Sequence, residues 1–287
     1  MSHRTIGHEL TDPANPVDAF EISKRAQCGA ADGKPAVYYW SGRVYSRVTG
    51  EPDRHLFNGE GMNIRQCVAV SDPKRGKGYR LVSREVMFYL DPKTNEVLRT
   101  WQNPWTDETV EVMHINNDPV NSRPSFPLDA NGNPPPPPRL LRQGKWLLMP
   151  LEAPLFYENP LAGSYQDYVG GKYHAMEIFD FAFEAKEMLD TRNPTAYPSV
   201  SWVRISDWMP WMKMRGRQGQ MVFNAMGTKL RSYDELPATI KTEIATNWPI
   251  YTAPPPADDQ RPNATTWTVF KKMVDERQGT APKPPGH

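Results

Sequence analysis

Between residues 37 and 115, runs rich in aromatic and β-branched side chains follow one another with only short turn sequences between them, and this limits the fold more than any other feature. Residues 37–48 stop at Thr49-Gly50-Glu51-Pro52, residues 56–70 at Ser71-Asp72-Pro73-Lys74-Arg75-Gly76, and residues 79–90 at Asp91-Pro92-Lys93-Thr94-Asn95. Residues 97–101 and 109–115 flank Asn103-Pro104-Trp105-Thr106-Asp107. A parallel pairing needs a crossover of a dozen or more residues, for which there is no room, so the spacing predicts an antiparallel meander. Gly59 and Gly61 interrupt the second run and predict a bulge or bend there.

Prolines then punctuate the chain. Pro119, Pro124, Pro127 and the five consecutive prolines at 134–138 fall within 24 residues. Lacking amide donors, they predict a long loop of polyproline character over 116–144. Strands are expected again at 145–150, 155–157, 172–183, 199–207 and 220–228, with a helical turn at 183–189. Asn15-Pro16-Val17-Asp18 reads as a helix start leading to Ala26. Ser232 with Glu235 reads as a capping box before the stripe Leu236, Ile240 and Ile244, and Trp267, Phe270 and Val274 mark a last helix. The expectation is one domain over 1–277 with a disordered tail at 278–287. The fold class expected is mainly β: about eight to ten antiparallel strands curling into a lipocalin-like barrel or half-barrel with helices at both ends.

Composition narrows the function. Lys and Arg number 34 against 33 Asp and Glu, which lacks the basic excess of a nucleic-acid binder. No apolar run is long enough to span a membrane as a helix. Cys28 and Cys67 form no metal-type spacing and are expected to be free thiols, and the N-terminus has no apolar signal core, so a cytoplasmic protein is expected. No phosphate loop, dinucleotide fingerprint, zinc-protease helix or nucleophile elbow occurs, so no cofactor is expected. His55, His114 and His174 could form a metal site only with carboxylate help. What remains is acid–base chemistry on a small molecule.

Several segments carry a resemblance: Tyr38-Tyr39-Trp40 with Gly42-Arg43-Val44-Tyr45, Asn58-Gly59-Glu60-Gly61, Arg84-Glu85-Val86 with Tyr89-Leu90-Asp91, and the most specific run, Thr100 to Val112. Pro119-Val120-Asn121, Ser201-Trp202, Trp208-Met209-Pro210-Trp211-Met212 and Leu230 to Pro237 extend it. Over roughly Pro16 to Tyr251 the chain resembles the bacterial domain-of-unknown-function family numbered eighteen-thirty-eight. The resemblance implies a single domain, a branch without an export signal, and, for members from aromatic-degrading bacteria, cofactor-free lyases on lignin-derived aromatics that release formaldehyde from a hydroxymethyl side chain.

The residues supply a candidate site. On 109–115 alternation puts Val110, Val112 and His114 on one face, so His114 is expected inside the barrel, either as a core histidine or as a general base. Glu85, Met87 and Tyr89 share a face of their strand, and Glu85 needs Arg65, Arg43 or His114 as partner if buried. The expected catalytic set is His114, Glu85, Tyr89 and Arg65, with Tyr89, Arg65 or Asn103 stabilising an oxyanion. The expected substrate-binding set is Trp40, Trp101, Asn103, Glu177, Trp202, Trp211 and Met212. The expected partner is a small aromatic substrate, without nucleic acid or membrane; an edge strand or the proline-rich loop is available to a homo-oligomer. The competing class is a carrier barrel that binds the same kind of molecule without turnover.

Overall fold

The computed structural model describes residues 16–136, 138–158 and 172–277; the expected tail at 278–287 lies outside them. Helix α1 (Pro16–Gln27) is followed by three long strands, β1 (Ala36–Arg47), β2 (Arg54–Asp72) and β3 (Gly76–Leu90). Three short strands come next, β4 (Thr100–Gln102), β5 (Thr109–Glu111) and β6 (Ile115–Asn117). The second half holds β7 (Leu141–Gln143), β8 (Trp146–Glu158), β9 (Lys172–Glu184), helix α2 (Ala185–Leu189), β10 (Ser199–Ser206) and β11 (Gln220–Leu230). Helices α3 (Ala238–Asn247) and α4 (Thr266–Arg277) complete the described chain.

Nine strands form one antiparallel sheet in the order β6-β3-β2-β1-β11-β10-β9-β8-β7. The last strand returns to pair with the first along eleven residues, from Val37↔Leu230 to Arg47↔Gln220, as in an up-and-down barrel. The opening therefore falls in mid-chain, between β6 and β7, where the proline-rich segment lies. Residues from β3 and β8, near opposite ends of the sheet, line the same cavity, so the sheet curls into a half-barrel that stays open.

The segment after β6 is more sheet-like than its composition predicts. Its non-proline amides bond along β3: Val120 to Ser83, Ser122 to Leu81 and Ser125 to Tyr79. Pro119 precedes the first of these donors and Pro124 falls between the second and third, so the chain follows the edge without continuing the ladder. In the same way β8 is one strand where two were expected. It runs through Pro150 and Pro154 because β7 pairs only with residues 146–148, which leaves both prolines on an open edge.

The two sheet faces bury different layers. On the convex face Leu236, Ile240 and Ile244 pack over Val37, Met62, Ile64, Val86 and Phe88. The helical stripe is as expected, but its start is not: Tyr233–Glu235 is a separate turn, Ser232 makes no side-chain cap, and α3 begins after Pro237. On the concave face an aromatic and sulfur-rich core gathers Phe57, Tyr89, Trp208, Trp211, Met212 and Phe223. Cys28 and Cys67 correct the free-thiol expectation: they form a disulfide joining the end of α1 to β2, with Cα atoms 5.5 Å apart. Local spacing could not reveal this, because the pairing arises only when α1 docks on the sheet.

Candidate functional site

Alternation along the long strands aims one set of side chains into the concavity. Trp40 and Tyr38 come from β1, Asn63 and Arg65 from β2, Glu85 and Met87 from β3; facing them are Glu177, Phe179 and Phe181 from β9 and Trp202 and Arg204 from β10. Together with residues of α1, β6, β8 and α4 they enclose a cavity of about 440 Å³, within the ~300–1,000 Å³ typical of small-molecule sites. Gly59 and Gly61 do not bulge; their pairings with Gly42 and Trp40 are in register. Their function is room. A Cβ on Gly61 would lie 2.5 Å from the Trp40 indole, and one on Gly59 would lie 2.3 Å from the Met87 methyl.

Glu85 stands on the cavity wall, its Oε1 accepting a 2.7 Å bond from Asn117 Nδ2. Burial, foremost, and the nearby Glu177 charge push its carboxyl above the usual carboxylate range, against the pull of the Asn117 bond, Arg204 and Arg65. Across the cavity Arg204 Nη1 pairs with Glu177 at 2.8 Å and Nη2 donates to the Tyr173 hydroxyl at 2.5 Å. Burial alone would make Arg204 a weaker base; the Tyr173 and Glu177 oxygens outweigh it and hold the guanidinium firmly charged. Arg65 donates through Nε to Asn63 Oδ1 at 2.7 Å and lies over the Tyr38 ring at 4.8 Å. The indole N–H groups of Trp40, Trp202 and Trp267, and Arg204 Nε, are buried without an acceptor among the described residues.

The structure thus brings together Glu85, Arg65, Trp40, Trp202 and Glu177 from the expected set. The others lie elsewhere. The strand expected at 109–115 breaks after Glu111 and resumes at Ile115, so the alternation that aimed His114 inward does not carry through. His114 is buried beside Phe88 and Tyr89, and its Nδ1 accepts the Tyr89 backbone N–H at 3.1 Å. The expected His114–Glu85 pair is replaced by the Asn117–Glu85 bond. Burial, then the Arg99 charge, lower the imidazole to about 4, which keeps it neutral. Tyr89 packs between Phe57 and Trp211 in the core, and its hydroxyl has no bond partner among the described residues.

Asn103 is fully buried; it donates to the Met212 carbonyl at 2.8 Å and accepts from the Trp105 N–H, so it fastens a turn. Trp101, Trp211 and Met212 belong to the core beneath the cavity. Arg204 and Trp267 were missed. Arg204 repeats with Val200 and Trp202 at every second residue of β10 and was legible in that alternation; the placement of Trp267 depends on how α4 docks. His55 contacts the Phe57 carbonyl, while His174 is an exposed residue of β9 beside Phe156. Among the described residues no three His, Cys, Asp or Glu side chains gather as a metal site, and none of the helices there is long and apolar enough to cross a membrane.

These features define a class: an open antiparallel half-barrel with an aromatic cavity carrying half-buried carboxylates and guanidiniums. The chain belongs to the family described as "Protein of unknown function (DUF1838)", whose model matches residues 33–274. That span takes in every strand and cavity wall from β1 to most of α4. No curated protein and no solved structure matches the chain.

Proposed function

We propose that the chain is a cofactor-independent lyase that breaks a carbon–carbon bond in a lignin-derived aromatic compound, with release of formaldehyde from a hydroxymethyl side chain. The observation that carries this reading is Glu85: a carboxyl with a raised proton affinity, held by Asn117 inside an aromatic cavity. Such a group is a better base than a solvated carboxylate and, once protonated, stands where it can return the proton.

In the ionised state Glu85 takes the proton of the substrate hydroxymethyl group. The freed O–H electron pair becomes the C=O bond of formaldehyde as the carbon–carbon bond breaks. The pair from that bond goes to the carbon left on the aryl side, which then takes the proton back from Glu85, so R–CH2OH becomes R–H and CH2O. Developing negative charge would meet the unpartnered indole donors and the cavity guanidiniums, the kind of fixed dipole that does most in a site closed to water. Trp40, Trp202, Phe179 and Phe181 would hold the rings. His114 and Tyr89 have no step in this scheme. The Cys28–Cys67 disulfide supports an oxidising compartment in place of the cytoplasm expected from the sequence.

The test is formaldehyde release across a panel of hydroxymethyl-bearing lignin dimers by wild type and Glu85→Gln. Turnover should fall about 10²–10⁴-fold in the variant, with its melting temperature kept. Wild-type turnover in stably folded Glu85→Gln would eliminate the mechanism. A second reading is a carrier, favoured by the closed Glu177–Arg204–Tyr173 chain, in which each charge already has a partner; tight binding across the panel with no product would establish it.

A further inference from the structure

The cavity charges are not all paired. Arg204 is matched by Glu177 at 2.8 Å. Arg65, on the same wall as Glu85, has no carboxylate within ion-pair distance among the described residues, although Glu85 is near enough to be felt electrostatically. A guanidinium taken into a cavity without a counter-charge is costly, so an unmatched one is expected to meet its partner in a ligand. Its setting is that of a positioned fork. Asn63 fixes Nε, the Tyr38 ring supports one face, and Tyr38 is itself anchored by its hydroxyl to the Ala26 carbonyl at 2.5 Å. The two terminal nitrogens remain for a planar acceptor, which a carboxylate matches.

The unpartnered polar groups point the same way. Among the described residues the indole N–H groups of Trp40, Trp202 and Trp267 and Nε of Arg204 are donors without acceptors, against Asn117 Oδ1 as an unpartnered acceptor beside Glu85. A cavity so rich in unmet donors fits a ligand rich in oxygen acceptors, with one hydroxyl to give at the Glu85 end. Resting on the lyase reading above, we propose that the substrate is an aromatic carboxylate, its carboxylate bound by Arg65 and its hydroxymethyl group presented to Glu85. Arg65 pairs with Ser83, two residues from Glu85 on β3, so the backbones of the two residues are offset by roughly 7 Å along the strands, which puts both side chains within reach of one small aromatic ligand.

The probe is 4-(hydroxymethyl)benzoate against its methyl ester, titrated calorimetrically into the full chain at pH 7. Wild type should bind the acid about 10- to 100-fold more tightly, the usual worth of hydrogen bonds to a charged group. Arg65→Gln should abolish the difference without weakening the ester, and Arg65→Lys should retain part of it. Should Arg65→Gln not fold, the wild-type ratio and Arg65→Lys still decide. Equal affinities in wild type, no binding of the acid, or a preference that survives in folded Arg65→Gln overturns the proposal. Glu85→Gln separates the two claims, because it should keep the preference for the acid. Acid preference with no turnover sinks the lyase and spares Arg65; turnover of neutral substrates with no acid preference does the reverse.

Discussion

Gly61 offers a sharp test of how the cavity wall is built. In Gly61→Ala the new Cβ would sit 2.5 Å from the Trp40 indole, closer than real Cβ contacts come, so the ring must retreat by about 1 Å to reach ordinary contact. Trp202 abuts the ring edge-on at 6.0 Å between centroids and limits its retreat on that side. Overpacking of this kind costs about 1–3 kcal/mol. The alanine recovers about 0.5–1 kcal/mol of backbone entropy, which leaves a net loss of up to about 2.5 kcal/mol, centred near 1 kcal/mol. Gly59→Ala is the contrasting case. Its Cβ meets the terminal methyl of Met87 at 2.3 Å, and an unbranched thioether can swing aside, so that variant should be within about 0.5 kcal/mol of wild type. Urea unfolding followed by tryptophan fluorescence gives both values, provided the slope with denaturant is unchanged. A Gly59→Ala loss as large as that of Gly61→Ala would refute the claim that these glycines act by clearing space for one rigid and one pliable side chain.

Further outcomes follow from the same structure. Reduction, or paired replacement of Cys28 and Cys67 by serine, should lower stability by about 4 kcal/mol for a sequence separation of 39 residues, read as a shift in the denaturation midpoint between oxidised and reduced protein. His114, lowered to about 4 by burial, binds a proton less readily folded than unfolded; its contribution is therefore complete above about pH 6.5 and is lost as pH falls toward 4, by about 3 kcal/mol. His114→Gln should remove that slope from a pH series of melts while leaving turnover per folded molecule unchanged. Arg204→Met strands the Glu177 carboxylate and should cost about 3 kcal/mol, and adding Glu177→Leu should recover most of it in a double-mutant cycle.

The sequence made the long strands legible because their aromatic and β-branched alternation matches the pleat: residues 37–48, 56–70 and 79–90 were read within a few positions of β1, β2 and β3. The shared face of Glu85, Met87 and Tyr89, and that of Glu177 with Phe179 and Phe181, followed from the same period. The argument failed where its premise of continuous extension failed. The break at Val112–His114 moved His114 out of the expected register, and Asn103, read as an oxyanion donor, spends its amide on the Met212 carbonyl and a turn. The Cys28–Cys67 disulfide and the arrival of Trp267 at the cavity depend on helices docking onto a distant sheet, and no local pattern encodes that. The proline-rich segment misled in a different way: its prolines forbid a regular strand, but the residues between them still donate to β3.

The central claim is that Glu85 carries the proton in the cavity, and the pH dependence of single-turnover formaldehyde release tests it most directly. The rate should rise with pH through a midpoint above the ~4.3 of an ordinary glutamate, because burial and the Glu177 charge favour the protonated form and the ionised form is the base. In Glu85→Gln that limb should vanish together with most of the rate. A limb that persists unchanged in a folded Glu85→Gln variant would assign the titrating group elsewhere and contradict the account.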